Sequence, residues 1–146
     1  MALSIIQREG TIKFGLTAGT VTVATDVHSA ILKRTYDNIE IRGTFASSRN
    51  VTKPGNYQEE FTVKYDNDGT NSSTTLGGLI SQAAWAATPS TILYFEFIQD
   101  VAAVGADNQR FTGTVSVLEA LKGGVVGEVR EHEITLPVLT ITIANV

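Results

Sequence analysis

β-Branched residues constrain this chain more than any other feature of its sequence. Threonine, valine and isoleucine contribute 19, 14 and 12 residues, together 45 of 146. Their side chains have few rotamers and pack well on a pleated surface. The sequence therefore predicts a mainly β fold, and a length of 146 residues fits one domain covering 1–146.

Alternating apolar and polar residues locate the strands. Ile12, Phe14 and Leu16 share one face of a first strand, and a turn at Ala18-Gly19 leads into an alternating partner over 20–25, which indicates a hairpin. Further strands are predicted over 30–36, 38–42, 58–65, 91–98, 109–118, 128–137 and 138–143. This pattern favours an antiparallel β-sandwich or barrel.

One segment follows helical spacing instead. Its apolar residues recur at the period of an α-helix, and they are Leu76, Leu79, Ile80, Ala83, Ala84 and Ala87. Ser72, Ser73 or Thr74 can supply the N-cap oxygen, and Pro89 ends the pattern. We predict a single helix at about residues 74–87, packed on the β structure.

Two segments lie outside this regular pattern. Residues 1–10 precede the first strand and are interpreted as an N-terminal arm. The polar stretch over 43–57 is rich in Ser, Asn and Gly and is predicted to be a long loop, a type of segment that is usually functional or mobile.

Charge and cysteine content exclude several classes of function. Eleven basic residues are scattered along the chain among 15 acidic ones, so we expect no tight binding of nucleic acid, which needs clustered Lys and Arg. The absence of cysteine excludes disulfides, Cys-ligated metals and thiol nucleophiles. No run approaches 18 apolar residues, so no membrane span is expected either.

No motif indicates catalysis. The two histidines, His28 and His132, lie about a hundred residues apart, and in a strand His132 would face away from Glu131 and Glu133, so we interpret it as an exposed polar residue. The Asp66 to Gly69 run lacks the spacing of a calcium loop and is predicted to be a tight turn. We therefore predict no enzyme activity and no catalytic, cofactor or metal site.

The polar faces of the strands are more informative. Thr112, Thr114 and Ser116 cannot form a core, and Glu40 with Arg42 should face water. Such a sheet has one core face and one wet face. It is either an ordinary sandwich surface or the wall of an aqueous channel, in which strands close edge to edge with neighbouring subunits.

Four segments of the C-terminal half occur in a recognisable order: Arg110 to Val117, Gly123-Gly124, Gly127-Glu128-Val129 and Ile134 to Pro137. A helix with small apolar residues and an aromatic-rich strand, Ile92 to Phe97, precede them. This order resembles that of the major tail (tail tube) proteins of long-tailed, siphophage-type phages. The N-terminal half is similar to that family in architecture only.

The resemblance implies a structural virion protein, made in the cytoplasm of a bacterial host and located in the phage tail. Subunits would form hexameric rings that stack into a hollow tube through which DNA is ejected into the host, without binding it specifically. Other partners would be the tape measure protein and further tail proteins. The loop over 43–57 would reach the next ring, and the N-terminal arm over 1–10 could contribute to the same contact.

The excess of acidic over basic residues would then serve the passage of DNA, because a neutral or acidic lumen repels phosphate and lets DNA slide without binding. The acidic residues predicted to lie in strands are the candidates for lining the lumen, and they are Glu40, Glu59, Glu60, Glu96 and Glu128.

Two alternatives remain open. One is a capsid decoration or tail-completion protein of similar fold. The other is a carbohydrate-binding or adhesion module, which would display aromatic side chains for sugar stacking, and only Tyr57, Trp85 and Tyr94 are placed for that.

Overall fold

The computed structural model describes residues 10–41, 43, 51–67, 69 and 71–146. Within these residues the fold consists of seven strands and one short helix. In chain order the elements are β1 (Thr11–Thr17), β2 (Thr20–Val23), β3 (Val27–Ile41), β4 (Val51–Asp66), α1 (Leu76–Ala84), β5 (Ile92–Ile98), β6 (Arg110–Ser116) and β7 (Glu131–Ala144). The mainly β, antiparallel prediction with one helix is confirmed.

All seven strands belong to one antiparallel sheet in the order β2-β1-β5-β6-β7-β4-β3. β7 joins its two halves, because its first half pairs with β4 and its second half pairs with β6. The change of partner occurs around Pro137 and Val138, where the register with β6 also shifts. A proline that cannot donate to a ladder and a bulge that bends the strand both suit such a corner.

The sheet folds over so that its two halves face each other. Phe61 on β4 packs edge to face against Phe95 and Phe97 on β5, with ring centroids 4.9 and 5.4 Å apart. These contacts join strands that are separated by two others in the sheet order. The alternating residues predicted to face the core are buried on both halves, among them Phe61, Val63, Tyr65, Leu93 and Phe95.

α1 contributes its apolar stripe to the same core and contacts β1 and β4. The N-cap of α1 is Thr75, whose hydroxyl accepts a hydrogen bond from the Gly78 N–H. The prediction of Ser72, Ser73 or Thr74 for this role is therefore wrong. A glycine is needed at Gly78 because a Cβ there would lie 2.0 Å from the Ser72 carbonyl oxygen. The helix ends at Ala84, before the predicted boundary at 87.

Two predicted boundaries between strands are wrong. Residues 30–36 and 38–41 of the two predicted segments belong to the single strand β3, which continues through a register shift between Tyr36 and Asn38. Likewise the segments over 128–137 and 138–143 form the single strand β7, which begins only at Glu131. In each case a local irregularity interrupts the alternation without ending the strand.

The loop predicted over 43–57 is also corrected. Residues 51–57 form the first half of β4 and pair with the end of β3, so their polar composition does not mark a loop. A strand that carries polar residues on both faces has no period-two signal. Residues 42 and 44–50, and residues 1–9 of the N-terminal arm, lie outside the described residues.

His132 is not the exposed residue that was predicted. It occupies an inward position of β7 together with Ile134 and Leu136, and its side chain is buried. Its Nε2 lies 2.8 Å from the Gly123 carbonyl oxygen, and its ring meets Tyr65 edge to face at 5.6 Å. The burial follows from strand alternation, which places His132 on the core face of the sheet.

Asn67 and Gly69, from the tight turn predicted over 66–69, are among the described residues. The Gly69 N–H donates to the Asn67 side-chain oxygen at 2.9 Å, and Gly69 has a φ of +82°. A side-chain oxygen that accepts from the backbone two residues later is the usual contribution of asparagine to a turn.

Candidate functional site

The most distinctive feature of the surface is the open end of the sheet. β3 is the terminal strand of the order, and among the described residues it pairs with β4 alone. It is 15 residues long, whereas the strand at the opposite end, β2, has four residues. A long edge strand offers a row of unpaired N–H and C=O groups to another chain.

A groove runs along this open side of the folded sheet. Its volume is about 820 Å³, and it lies between the first residues of β3 and the adjacent ends of β1 and β5. Apolar side chains dominate its lining, among them Ile12, Val27, Ile31, Leu32 and Phe97. Ile31 is 61% exposed, so the groove presents apolar surface at the unpaired edge.

Beyond the point where β7 ends its pairing, β3 and β4 continue as a two-stranded ribbon. β4 pairs with β7 only from Glu60 onward. Residues 34–41 of β3 and 51–59 of β4 therefore project from the sheet, and these two segments are named the β3–β4 ribbon. An isolated two-stranded ribbon is marginally stable in water, so it needs support from its own side chains or from a partner.

One face of the β3–β4 ribbon carries aromatic and charged side chains in register. Tyr36 and Tyr57 are cross-strand partners with ring centroids 5.6 Å apart. Arg34 lies over the Tyr57 ring at 4.3 Å and pairs with Glu59, Nη2 to Oε1 at 2.7 Å. Hydrogen bonds to Tyr36 and Glu59 raise the pKa of Arg34 above its ordinary value, and the guanidinium stays charged.

This ribbon face is held in place and accessible at the same time. Tyr36 is 48% exposed and Tyr57 is 56% exposed, although each contacts its neighbours. Tyrosine and arginine are among the side chains most enriched at the centres of protein interfaces. The arrangement suits contact with another protein surface.

The outward face of β6 and of the second half of β7 is lined by threonine, and Tyr94 and Glu96 of β5 lie beside it. This surface is named the threonine face. Thr114 and Thr140 are cross-strand partners whose hydroxyl oxygens lie 2.8 Å apart, and Thr112 and Thr142 oppose each other beside them. The polar face predicted for Thr112, Thr114 and Ser116 is thus present on β6, with the core on its other side.

Charges on the threonine face are paired. Glu96 pairs with Lys13 Nζ at 3.1 Å on one carboxylate oxygen and with Arg110 Nε at 3.3 Å on the other. Such partly exposed pairs contribute about 0–1 kcal/mol each. Their effect is to leave few free charges on a face made of hydroxyls.

The five acidic residues named from the sequence do not lie together. Glu96 alone belongs to the threonine face. Glu59 and Glu60 are paired with Arg34 and Lys33 on β3, while Glu40 lies exposed at the end of the β3–β4 ribbon. Glu128 precedes β7 in a turn, so its predicted strand location is wrong.

The aromatic residues considered for sugar binding are also dispersed. Tyr57 lies on the β3–β4 ribbon, Tyr94 on the outward face of β5, and Trp85 at the C-terminus of α1, where Lys122 Nζ lies 5.4 Å from its ring centroid. These three side chains form no common stacking platform.

The fold brings together one group of chemically active side chains that sequence reasoning missed. His28, Asp66 and Glu131 come from β3, β4 and β7, and their ligand atoms all lie within 4.8 Å of one another. No sequence motif signals this group, because 38 residues separate His28 from Asp66 and 65 separate Asp66 from Glu131. Only strand pairing brings them together.

Among the described residues, no helix is long and apolar enough to span a membrane.

Comparison with known proteins found no matching family model and no matching curated protein. Among solved structures, the chain is similar to the anti-feeding prophage cap, described as the tube-terminating cap and determined by cryo-EM. The match has a TM-score of 0.53 and 15% identity, and it covers 100% of this chain and 95% of the other. At that identity the similarity concerns the fold.

Proposed function

We propose that this chain is a structural subunit of a phage-tail-type tube, assembling with copies of itself and with other tail proteins. The observation that carries the proposal is the 15-residue open edge of β3 beside an apolar groove. The similarity in fold to a tube-terminating cap supports the same class of assembly.

Edge pairing provides the first contact between subunits. Addition of a neighbour's strand to β3 would satisfy its free backbone groups and cover the apolar side chains that line the groove. The short strand β2, at the opposite end of the sheet, leaves a second edge on each subunit. An interaction between two different edges is heterologous, and it closes into a ring when the rotation between subunits allows.

The β3–β4 ribbon provides a second contact. It extends beyond the folded sheet and presents Arg34, Tyr36 and Tyr57 on one face. Aromatic and guanidinium side chains that are already held in place lose little entropy when a partner covers them. In a ring this face packs on the adjacent subunit or on the next ring. Contact with the next ring is the role that the family resemblance implies for the 43–57 segment.

A more detailed proposal concerns the assembled tube. Rings of six subunits stack, the threonine face lines the lumen, and DNA passes through on ejection into a host. A surface of hydroxyls with paired charges gives phosphate little to bind. The subunit has no catalytic role, and it is located in the virion with a tape measure protein as a further partner.

A second candidate role is termination of the tube. The similar solved structure is described as a tube-terminating cap, and the two chains match over nearly their whole lengths. A terminating protein forms a single ring and stops, whereas a tube subunit continues to stack. The two roles share the ring, and they differ in whether a second ring is added to it.

Native mass spectrometry of the purified chain at increasing concentration tests the proposal. We expect a single closed oligomer in addition to the 15.6 kDa monomer. Higher multiples of that oligomer indicate stacking and the tube role, and their absence indicates the terminating role. A chain that stays monomeric over the whole concentration range contradicts the proposal.

A further inference from the structure

The strongest unassigned site is the group formed by His28, Asp66 and Glu131 at the end of the folded sheet. Asp66 and Glu131 are directly opposed in the β4–β7 ladder. His28 lies in β3 at the register shift between Val27 and Ser29. A bulge of this kind re-aims a side chain, and here it turns the imidazole toward the two carboxylates.

The distances within the group match a metal coordination shell. His28 Nε2 lies 3.2 Å from Glu131 Oε2 and 3.5 Å from Asp66 Oδ1. Tetrahedral zinc with bonds of about 2.1 Å to N and O ligands separates neighbouring ligand atoms by about 3.4 Å. The two distances from the imidazole fit this separation, and all three ligand atoms lie within 4.8 Å of one another.

The charges of the group also favour the binding of a cation. Two carboxylates directly opposed across a ladder repel each other, and Asp66 and Glu131 are opposed in this way. Lys64, on the same face of β4 as Asp66, pairs with Glu133 at 3.6 Å. The cross-strand pair Lys64 and Glu133 therefore has opposite charges, whereas the pair Asp66 and Glu131, two residues further along the same strands, consists of two carboxylates.

We propose that His28, Asp66 and Glu131 bind a divalent transition-metal ion of the zinc class, with water at the fourth position. The imidazole nitrogen favours zinc over calcium or magnesium, which prefer sets of oxygen ligands. The three side chains are about half exposed, so a hydrated ion reaches them directly. All three ligands belong to one chain, so a single subunit supplies every protein ligand of the site.

Isothermal titration calorimetry of ZnCl₂ into the tag-free, metal-stripped full chain tests the site. We expect one ion per chain, and His28→Gln should weaken binding at least about tenfold, since even loss of a supporting group costs 10–100-fold. Asp66→Asn should weaken it as well. Glu133→Gln is the matched control, because it removes a carboxylate on the same face of β7 and should leave zinc affinity unchanged.

A second measurement separates loss of binding from loss of folding. In ¹H–¹⁵N spectra of the histidine rings, zinc should shift the His28 Nε2 resonance and leave that of buried His132 in place. Absence of saturable zinc binding, or binding that is equally strong in His28→Gln, overturns the proposal. Tighter binding of Mg²⁺ than of Zn²⁺ overturns it too, because the imidazole would then not be a ligand.

Discussion

At the residue scale, Asp26 links the strands to the helix. It lies in the turn between β2 and β3, and its carboxylate accepts the N–H groups of Leu76 and Gly77 at 2.7 and 2.9 Å. The first turn of α1 has no acidic residue of its own. A carboxylate about 50 residues away in sequence therefore satisfies two of the free donors at the helix N-terminus and interacts with the positive end of its dipole.

Asp26→Asn should lower the free energy of unfolding by about 1 kcal/mol, since it removes the charge and leaves a single acceptor oxygen for two donors. Urea denaturation followed by circular dichroism measures the change. Asp107→Asn, in an exposed turn, is the control and should have no measurable effect. Equal stability of the two variants would contradict the capping role.

Tyr65 contributes to the loss of stability at alkaline pH. Burial, followed by the nearby charges of Asp26 and Glu119, raises the pKa of Tyr65 to about 12. The unfolded chain releases this proton near a pH of about 10, while the folded chain retains it. The stabilisation is complete below about pH 10 and is lost as the pH rises toward 12.

Tyr65→Phe should therefore lose less stability than the wild type as the pH is raised from about 9 to about 11. The hydroxyl is buried without a hydrogen-bond partner among the described residues, so its removal should cost little at neutral pH. Thermal unfolding at a series of pH values gives the slope of stability against pH for the wild type and for Tyr65→Phe. Tyr57→Phe, at a half-exposed position, is the control. Parallel slopes for Tyr65→Phe and the wild type would refute the effect.

At the element scale, the close approach of β6 and β7 depends on a glycine. A Cβ at Gly113 would lie 1.9 Å from the Thr140 carbonyl oxygen, a contact with backbone that no rotamer relieves. The hydroxyl contact between Thr114 and Thr140 lies immediately beside it. The threonine face therefore requires a residue without a side chain at this position.

Gly113→Ala should destabilise the fold by at least about 2 kcal/mol, within the range found for overpacked sites. Gly105→Ala is the matched control, since a Cβ there has nothing within 4 Å. Differential scanning calorimetry compares the melting temperatures. Similar melting temperatures for the two variants would show that β6 and β7 separate easily.

The β3–β4 ribbon is the element on which assembly should depend. The double variant Tyr36→Ser, Tyr57→Ser removes the exposed ring pair and the surface under Arg34, so it should reduce oligomer formation at least about tenfold, as for loss of two interface anchors. Its melting temperature should change little, because neither ring belongs to the core. Sedimentation velocity measures the oligomer fraction.

Trp85→Ser is the control for this variant. It removes an aromatic ring of similar exposure, 54% against 56% for Tyr57, from the end of α1. Oligomer formation should be retained in the control. Equal loss in both variants would mean that the ribbon has no special part in assembly.

Most elements could be predicted from sequence because period-two and helical patterns reflect burial on one face. Phe61, Val63 and Tyr65 are inward as expected, and the apolar stripe of α1 is buried from Leu76 to Ala83. The first half of β4 could not be predicted, because the ribbon has no buried face to produce the pattern. The group of His28, Asp66 and Glu131 could not be predicted either, because it arises from the register of three strands.

At the scale of the whole molecule, β3 is the longer edge strand of one folded sheet, and in the part of the chain that the structure describes its outer edge has no partner strand. Together with β4 it also extends beyond the sheet as the β3–β4 ribbon. A monomeric protein usually protects such an edge with charges, proline or a covering element. β3 does carry the charged residues Lys33, Arg34, Asp37 and Glu40. Beside them, however, lie an apolar groove and, on the ribbon, a pair of half-exposed tyrosines. These features are accounted for together if other copies of the chain cover them.

Electron microscopy of the purified, concentrated chain in negative stain determines whether copies of the chain close into rings. We predict rings of uniform diameter with a central hole, isolated in the case of a terminating protein and stacked into hollow tubes in the case of a tube subunit. A field of monomeric particles without rings at high protein concentration would contradict the proposed assembly.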